Sequence, residues 1–295
     1  TRAKLLGQPL PLQLYDYKPV NGTTTLALSG NWRNRSGFFT FVTVGGNLNY
    51  KWYTNPRKRH ELNLFNLEYN SVIRTTAAFD SITRANPALY ISMRDQLVPS
   101  ISYIFTSTSP AADRHPYWVQ FLLKEAGNVT SGLYALTGRS FSETGKHLLR
   151  SPFSQFVKAT AEGHYTRVFS PRLSLAMRAF AGVVYAYGNS TQAPYGEQFF
   201  VGGANSVRGF AVRTIGPGGY HTQRTKYSYI DQTGDVKLEA NAELRTCLFG
   251  QLNGALFLDA GNVWLIRPDT NRPESGLTLR NLKRIAVGTG VGLRY

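Results

Sequence analysis

The chain has 295 residues, a formal net charge of +16 and a single cysteine, Cys247. Only 17% of residues are charged while 13% are aromatic, a balance unlike that of a disordered tail. One cysteine excludes an intrachain disulfide framework and a Cys-rich metal site. A basic excess invites anionic partners, either nucleic acid or lipid phosphate. Yet the longest basic run is Arg57-Lys58-Arg59, and no zinc-finger or RNP-type motif is present. His60, His115, His147, His164 and His221 show no ligand spacing, and there is no Gly-x-Ser-x-Gly elbow, P-loop or His-Glu-x-x-His. The expectation is no enzyme, no metal and no cofactor. Thr1 opens a polar, proline-bearing segment without a signal-peptide pattern. No stretch approaches the ~18 apolar residues of a membrane helix. A transmembrane β-barrel escapes that test, because its apolar band occupies alternate residues.

In chain order, residues 1 to 22 carry Pro9, Pro11 and Pro19 without a period and read as an incoming loop. Strands are expected at Thr23–Trp32 and Gly37–Tyr53, the second ending in interfacial Trp52-Tyr53. A turn at Asn55-Pro56 leads to a returning strand, His60–Asn70, whose alternation slips near Phe65-Asn66 as at a bulge. Residues 71 to 96 hold a helical turn or two in a long loop. Strands follow at Val98–Ser107 and Tyr117–Asn128, then a Gly/Ser-rich loop to Phe153. In Gln155–Phe169, Val157, Ala159, Ala161, Gly163 and Tyr165 share one face, and Lys158, Thr160, Glu162, His164 and Thr166 the other. After a Ser170-Pro171 turn, Leu173, Leu175, Met177, Ala179, Ala181, Val183, Tyr185 and Tyr187 fall on one parity, opposite Ser174 and Arg178. Both strands exceed the ~9–11 residues that cross a bilayer when tilted. Asp235–Leu248 and Gln251–Trp264 alternate again; 266 to 282 read as a polar loop, and Lys283–Tyr295 as a final strand. About ten long strands, with tight turns at one end and long loops at the other, predict an all-β, antiparallel transmembrane β-barrel. A soluble sandwich would have to accommodate strands this long with Lys158, Glu162 and Arg178 on the polar face.

Between two of these strands, at 188–234, lies a long loop too rich in glycine for strand or helix. Gly202, Gly203 and Gly209 admit positive φ and close backbone approach, and Arg208 stands between Val207 and Gly209. An arginine delivered into a barrel must meet opposite charge, because a buried unpaired charge is costly. Parity offers Glu243, on the polar face after the loop, and Asp259, opposite the lipid-facing parity of Leu256 and Leu258. Arg208 bridging the two would tie the loop to the inner wall. The bland alternatives are a glycine-rich surface hairpin with an ordinary arginine, and two carboxylates that simply meet lumenal water.

Val207-Arg208-Gly209-Phe210, preceded by Phe199-Phe200-Val201-Gly202-Gly203 and followed by Ile215-Gly216-Pro217, resembles the inward-folded loop of the BamA/TamA superfamily of outer-membrane assembly barrels, the bacterial surface antigen family. The Ala-Glu-Leu context of Glu243 and the Asp-Ala-Gly-Asn-Val-Trp context of Asp259 resemble the strands that meet the loop arginine in that family. The resemblance implies one partial barrel over residues 1–295, holding strands five to fourteen of sixteen, so that Tyr295 comes too early to close it. It implies an integral place in the bacterial outer membrane and a role inserting or translocating β-barrel or surface proteins. The implied partners are outer-membrane lipid or lipopolysaccharide, unfolded outer-membrane protein substrates, and periplasmic or lipoprotein accessory subunits, with no nucleic acid. A two-partner secretion pore shares the loop motif. A passive porin would not need it, and a soluble basic β protein would bind DNA or RNA in a salt-sensitive way.

Overall fold

The structure, a computed structural model, describes residues 22–35, 39–85, 94–221, 232–267 and 269–294. The expected incoming loop lies outside these residues apart from Gly22, as do 222–231 of the long loop and Tyr295. The strands are β1 (Gly22–Arg35), β2 (Phe39–Asn55), β3 (Lys58–Thr75), β4 (Gln96–Thr108), β5 (Tyr117–Ala126), β6 (His147–Leu148), β7 (Ser151–Pro152), β8 (Phe156–Ser170), β9 (Leu173–Ala186), β10 (Val236–Phe249), β11 (Leu252–Trp264) and β12 (Ala286–Arg294). All but β6 and β7 join one ten-stranded sheet in chain order. The pairs β1–β2, β2–β3, β9–β10, β10–β11 and β11–β12 are antiparallel. The helices are α1 (Ala77–Ala85), α2 (Asn128–Leu136) and α3 (Leu279–Leu282).

The turns at one end of the strands are built by short polar side chains. Asn55 Oδ1 accepts from the backbone N–H groups of Arg57 (2.9 Å) and Lys58 (3.0 Å), and Ser170 Oγ accepts from that of Arg172 at 3.3 Å. Such local bonds let asparagine and serine close tight turns. β3 begins and ends beyond the expected His60–Asn70, and its register skips Leu64, which places a bulge next to Phe65, near where the alternation slips.

Two segments read as loops hold helices. The Gly/Ser-rich stretch after β5 carries α2 and the β6–β7 pair, because Gly127, at φ 75°, turns the chain out of β5 directly into a helix. The 266–282 segment carries α3, whose first turn is capped by Thr278 Oγ1 accepting from Asn281 N–H at 3.2 Å. Serine, threonine and glycine composition masked both helices in the sequence.

The chain forms two compact units. One comprises Thr1–Thr106, Leu122–Ala159 and Val184–Glu197; the other Ser107–Phe121, Thr160–Val183 and Gln198–Tyr295. In the first, Phe39, Phe41, Phe79 and Tyr195 form a buried aromatic cluster. Near the Asn55 turn, Tyr50 stacks on Trp52 (ring centroids 5.4 Å apart) and Trp52 on His60 (5.1 Å), while Tyr103 Oη lies 2.6 Å from His60 Nδ1. Aromatic clusters of this kind flank the apolar band of transmembrane β-barrels; of the expected interfacial pair, Trp52 belongs to this cluster.

In the second unit the two faces of β10–β12 invert the rule for soluble proteins. Leu238, Leu244, Leu256, Leu258, Val287 and Val291 are exposed, while Glu239, Glu243 and Asp259 are buried. Among the described residues no helix is long and apolar enough to cross a membrane.

Candidate functional site: a loop fastened to the wall

Register aligns the wall's polar side chains before the loop arrives. Arg178 of β9 pairs with Asn241 of β10, Asn241 with Asp259 of β11, and Asp259 with Gly288 of β12. One step along the same face, Ala176, Glu243, Phe257 and Gly290 form a parallel row, and one step the other way lie Phe180, Glu239, Gly261 and Ala286. Cross-strand neighbours on one face stand close enough to share a ligand. The wall therefore presents Glu239, Glu243 and Asp259 together.

The loop meets these rows through Arg208. Its Nε donates to Asp259 Oδ2 at 2.7 Å and its Nη2 to Asp259 Oδ1 at 2.8 Å, a bidentate fork. Its Nη1 donates to Glu243 Oε2 at 2.5 Å, and its backbone N–H to Asp259 Oδ2 at 3.0 Å. The guanidinium also lies 3.7 Å from the centre of the Phe257 ring, within cation–π range. Asp259 is fully buried, and Arg208 keeps 24% of its side chain exposed. The hydrogen bonds to Asp259, then to Glu243, outweigh burial and hold Arg208 more firmly protonated than a free arginine.

The remaining named loop residues shape this approach. Val207 is fully buried against the glycines of the wall. A Cβ on Gly261 would lie 3.2 Å from Val207 Cγ2, and one on Gly288 would lie 2.1 Å from the Arg208 carbonyl oxygen. Backbone contact is possible there only because β12 offers no side chain. Gly202 sits at φ 105°, and a Cβ on it would strike Ala211 O at 2.2 Å. Gly203 and Gly209 are also at positive φ, and Phe210 is partly exposed.

Sequence reasoning missed a second fastening. Ser206 Oγ donates to Glu239 and itself accepts from Gly202 N–H at 3.1 Å. Glu239 also accepts from Arg178 and pairs with Lys237 at 3.0 Å, while Arg178 Nε donates to Glu162 Oε1 at 2.6 Å. Asn241 Nδ2 joins the two fastenings, donating to Ser206 O (2.8 Å) and Asp259 Oδ1 (3.0 Å). Alternation had put Glu162 and Arg178 on the polar face; nothing in it pointed to Ser206, whose partner depends on the loop's path. Farther along, Gly218 N–H donates to Val263 O at 2.6 Å, and Asn262 Nδ2 to Gly218 O at 2.9 Å.

In the other unit, Glu197 is clamped between two cations, with Lys124 Nζ at 2.5 Å and Lys158 Nζ at 3.0 Å. Burial pushes its carboxyl up, but the two ammonium groups more than offset this and hold it at about 2. Its lysines sit on the polar parity of β5 and β8, a signal the sequence carried without naming the acid they meet.

Ion pairs turned toward a docked loop and leucines turned away from it suit a single setting, the wall of a β-barrel in a bilayer. The chain matches the Omp85 superfamily domain over residues 126–295. It belongs to that superfamily and is an integral outer-membrane β-barrel protein. It is 32% identical over 115 residues to the outer membrane protein assembly factor BamA of Neisseria meningitidis serogroup B (strain ATCC BAA-335 / MC58), an alignment covering 37% of this chain and 14% of that protein. Its fold resembles the crystal structure of BamA from Haemophilus ducreyi lacking POTRA domains 1–3, with a TM-score of 0.60 at 15% identity, over 92% of this chain and 52% of that one. CdiB from Escherichia coli superposes more loosely, with a TM-score of 0.46 at 17% identity, over 92% and 43% of the respective chains. The chain thus spans about half the length of the solved BamA structure.

Proposed function

We propose that the full-length protein is an outer-membrane protein assembly factor that inserts or translocates β-barrel or surface proteins. The observation that carries this reading is the pinning of Val207-Arg208-Gly209-Phe210 to the wall, three hydrogen bonds going to Asp259 and one to Glu243. A passive pore would gain nothing from ordering so long a glycine-rich loop, whose conformational entropy is large. The proposed work needs no catalytic residue, since no bond is made or broken. A strand entering hydrocarbon carries unpaired backbone groups at high cost. A barrel that thins the bilayer and offers a pairing template lowers that barrier. Unfolded outer-membrane proteins are then the substrates, outer-membrane lipid or lipopolysaccharide the surroundings, and periplasmic or lipoprotein subunits the accessory partners.

The test is depletion in the native cell, with folded outer-membrane barrels and secreted surface proteins quantified together. The expected result is broad loss of folded barrels, restored by the wild-type gene and not by Arg208→Ala. Normal barrel levels with loss of one secreted protein would overturn the assembly reading in favour of a secretion pore.

A further inference from the structure

Helix α2 carries its polarity inside out. The sequence Asn128-Val129-Thr130-Ser131-Gly132-Leu133-Tyr134-Ala135-Leu136 contains no charged residue. Its buried residue is Ser131, while Val129, Leu133 and Leu136 are 57%, 61% and 84% exposed. Positions i, i+4 and i+7 form one stripe along a helix, so the apolar face is the one left uncovered. In water such a helix would turn over.

The anchoring of α2 indicates which medium covers it. Ser131 Oγ donates to Gln155 Oε1 at 2.8 Å, Gln155 Nε2 donates to Asn128 Oδ1 at 3.3 Å, and Tyr187 Oη donates to Asn128 Oδ1 at 2.7 Å. Gln155 shares parity with Val157 and Ala159, and Tyr187 with Tyr185, on which it stacks. Those are the wall's lipid-facing parities, opposite Lys158, which turns to Glu197. The polar side of α2 is therefore seated on the lipid side of the wall. On the outward parity of β5, Leu123 is 57% exposed and is followed by Glu125, whose Oε2 accepts from Asn128 N–H at 3.2 Å where the helix starts; Leu149, 76% exposed, stands where the chain returns. The helix lies at the long-loop end of the strands, which in outer-membrane barrels faces outward.

We propose that α2 is an interfacial helix, sinking Val129, Leu133 and Leu136 into the headgroup–acyl boundary of the outer leaflet and so extending the lipid-contact surface beyond the strands. Amphipathic helices lie in this boundary with the apolar face down. The occupant is bilayer lipid, chosen because α2 is anchored to Gln155 and Tyr187, which share the wall's lipid-facing parities.

The experiment uses the full-length protein with Cys247→Ser, reconstituted in phosphatidylethanolamine–phosphatidylglycerol vesicles and spin-labelled at one introduced cysteine. Leu123→Cys reports the wall, Ser142→Cys the aqueous loop, and Val129→Cys and Leu133→Cys the helix. The expected result is an oxygen-to-nickel-chelate accessibility ratio at 129 and 133 close to that at 123 and well above that at 142. Leu133→Asp combined with the label at 129 should lower the ratio there while leaving a label at 123 unchanged, separating release of the helix from failure to fold. The proposal is overturned by a nickel-accessible label at 133. It is equally overturned by labels at 129 and 133 closed to both reagents, which would mean that protein covers the face, or by dipolar broadening that reports a second copy.

Discussion

Arg208 acts where a charge-assisted fork and a low-dielectric wall coincide. Removing one partner of such a pair leaves carboxylates without their cation, which costs ~3–5 kcal/mol for buried pairs. Arg208→Ala is expected to free the loop while the wall stays folded, seen as new protease cleavage within 198–221 of the full-length protein. Arg208→Lys is expected to restore docking only in part, since an ammonium lacks the planar fork that engages both oxygens of Asp259. Ser206→Ala is milder, because Glu239 keeps Arg178 and Lys237. It loses two hydrogen bonds, the one to Glu239 and the one from Gly202 N–H, at about 1–2 kcal/mol each, and should raise loop cleavage without abolishing docking. Glu197 provides the pH test. Its folded value, about 2, lies below its ordinary 4.5, so its contribution is fully present above 4.5 and is lost as pH falls from there toward 2. That contribution is on the order of 3 kcal/mol. Denaturant unfolding in detergent should show stability falling through that window, and Glu197→Gln should flatten the fall. The Arg208 geometry was readable in advance because strand parity places Glu243 and Asp259 on the polar face. Ser206 and Glu197 were not readable, since their partners depend on the course of loops that no periodicity encodes.

At the scale of elements, alternation predicts orientation as well as extent. Leu175 and Ser174 are neighbours in β9 on opposite parities. Leu175→Arg is expected to cost ~2–4 kcal/mol if its parity meets mid-bilayer lipid, and Ser174→Arg much less. Unfolding titrations of the two variants in lipid vesicles check this, and equal tolerance would contradict the orientation. The long strands were legible because a period of two, sustained from Leu173 to Tyr187, belongs to an extended chain with two unlike faces. Strand ends were less so: β3 runs on to Thr75 because its pairing with Phe39 and Thr40 continues after the apolar pattern fades. Helix α2 was illegible for a physical reason, since its apolar stripe of Val129, Leu133 and Leu136 shares a face with Gly132, and its polar face is the buried one, which inverts the usual signal.

For the whole molecule, the charge of +16 is a property of surfaces, and several of its cations are already committed. Arg208, Arg178, Lys124, Lys158 and Lys237 all meet carboxylates. DNA retention across a salt series is therefore expected to be weak and independent of sequence. The central claim is that Arg208 holds the loop against the wall in the working, full-length barrel. The most direct measurement is disulfide trapping in native outer membranes, with Val207→Cys and Gly261→Cys introduced together in a Cys247→Ser background, since a Cβ on Gly261 would lie 3.2 Å from Val207 Cγ2 across the loop–wall contact. The account predicts efficient cross-linking that collapses when Arg208→Ala is added. Cross-linking that fails with Arg208 intact, or persists undiminished without it, would contradict the account.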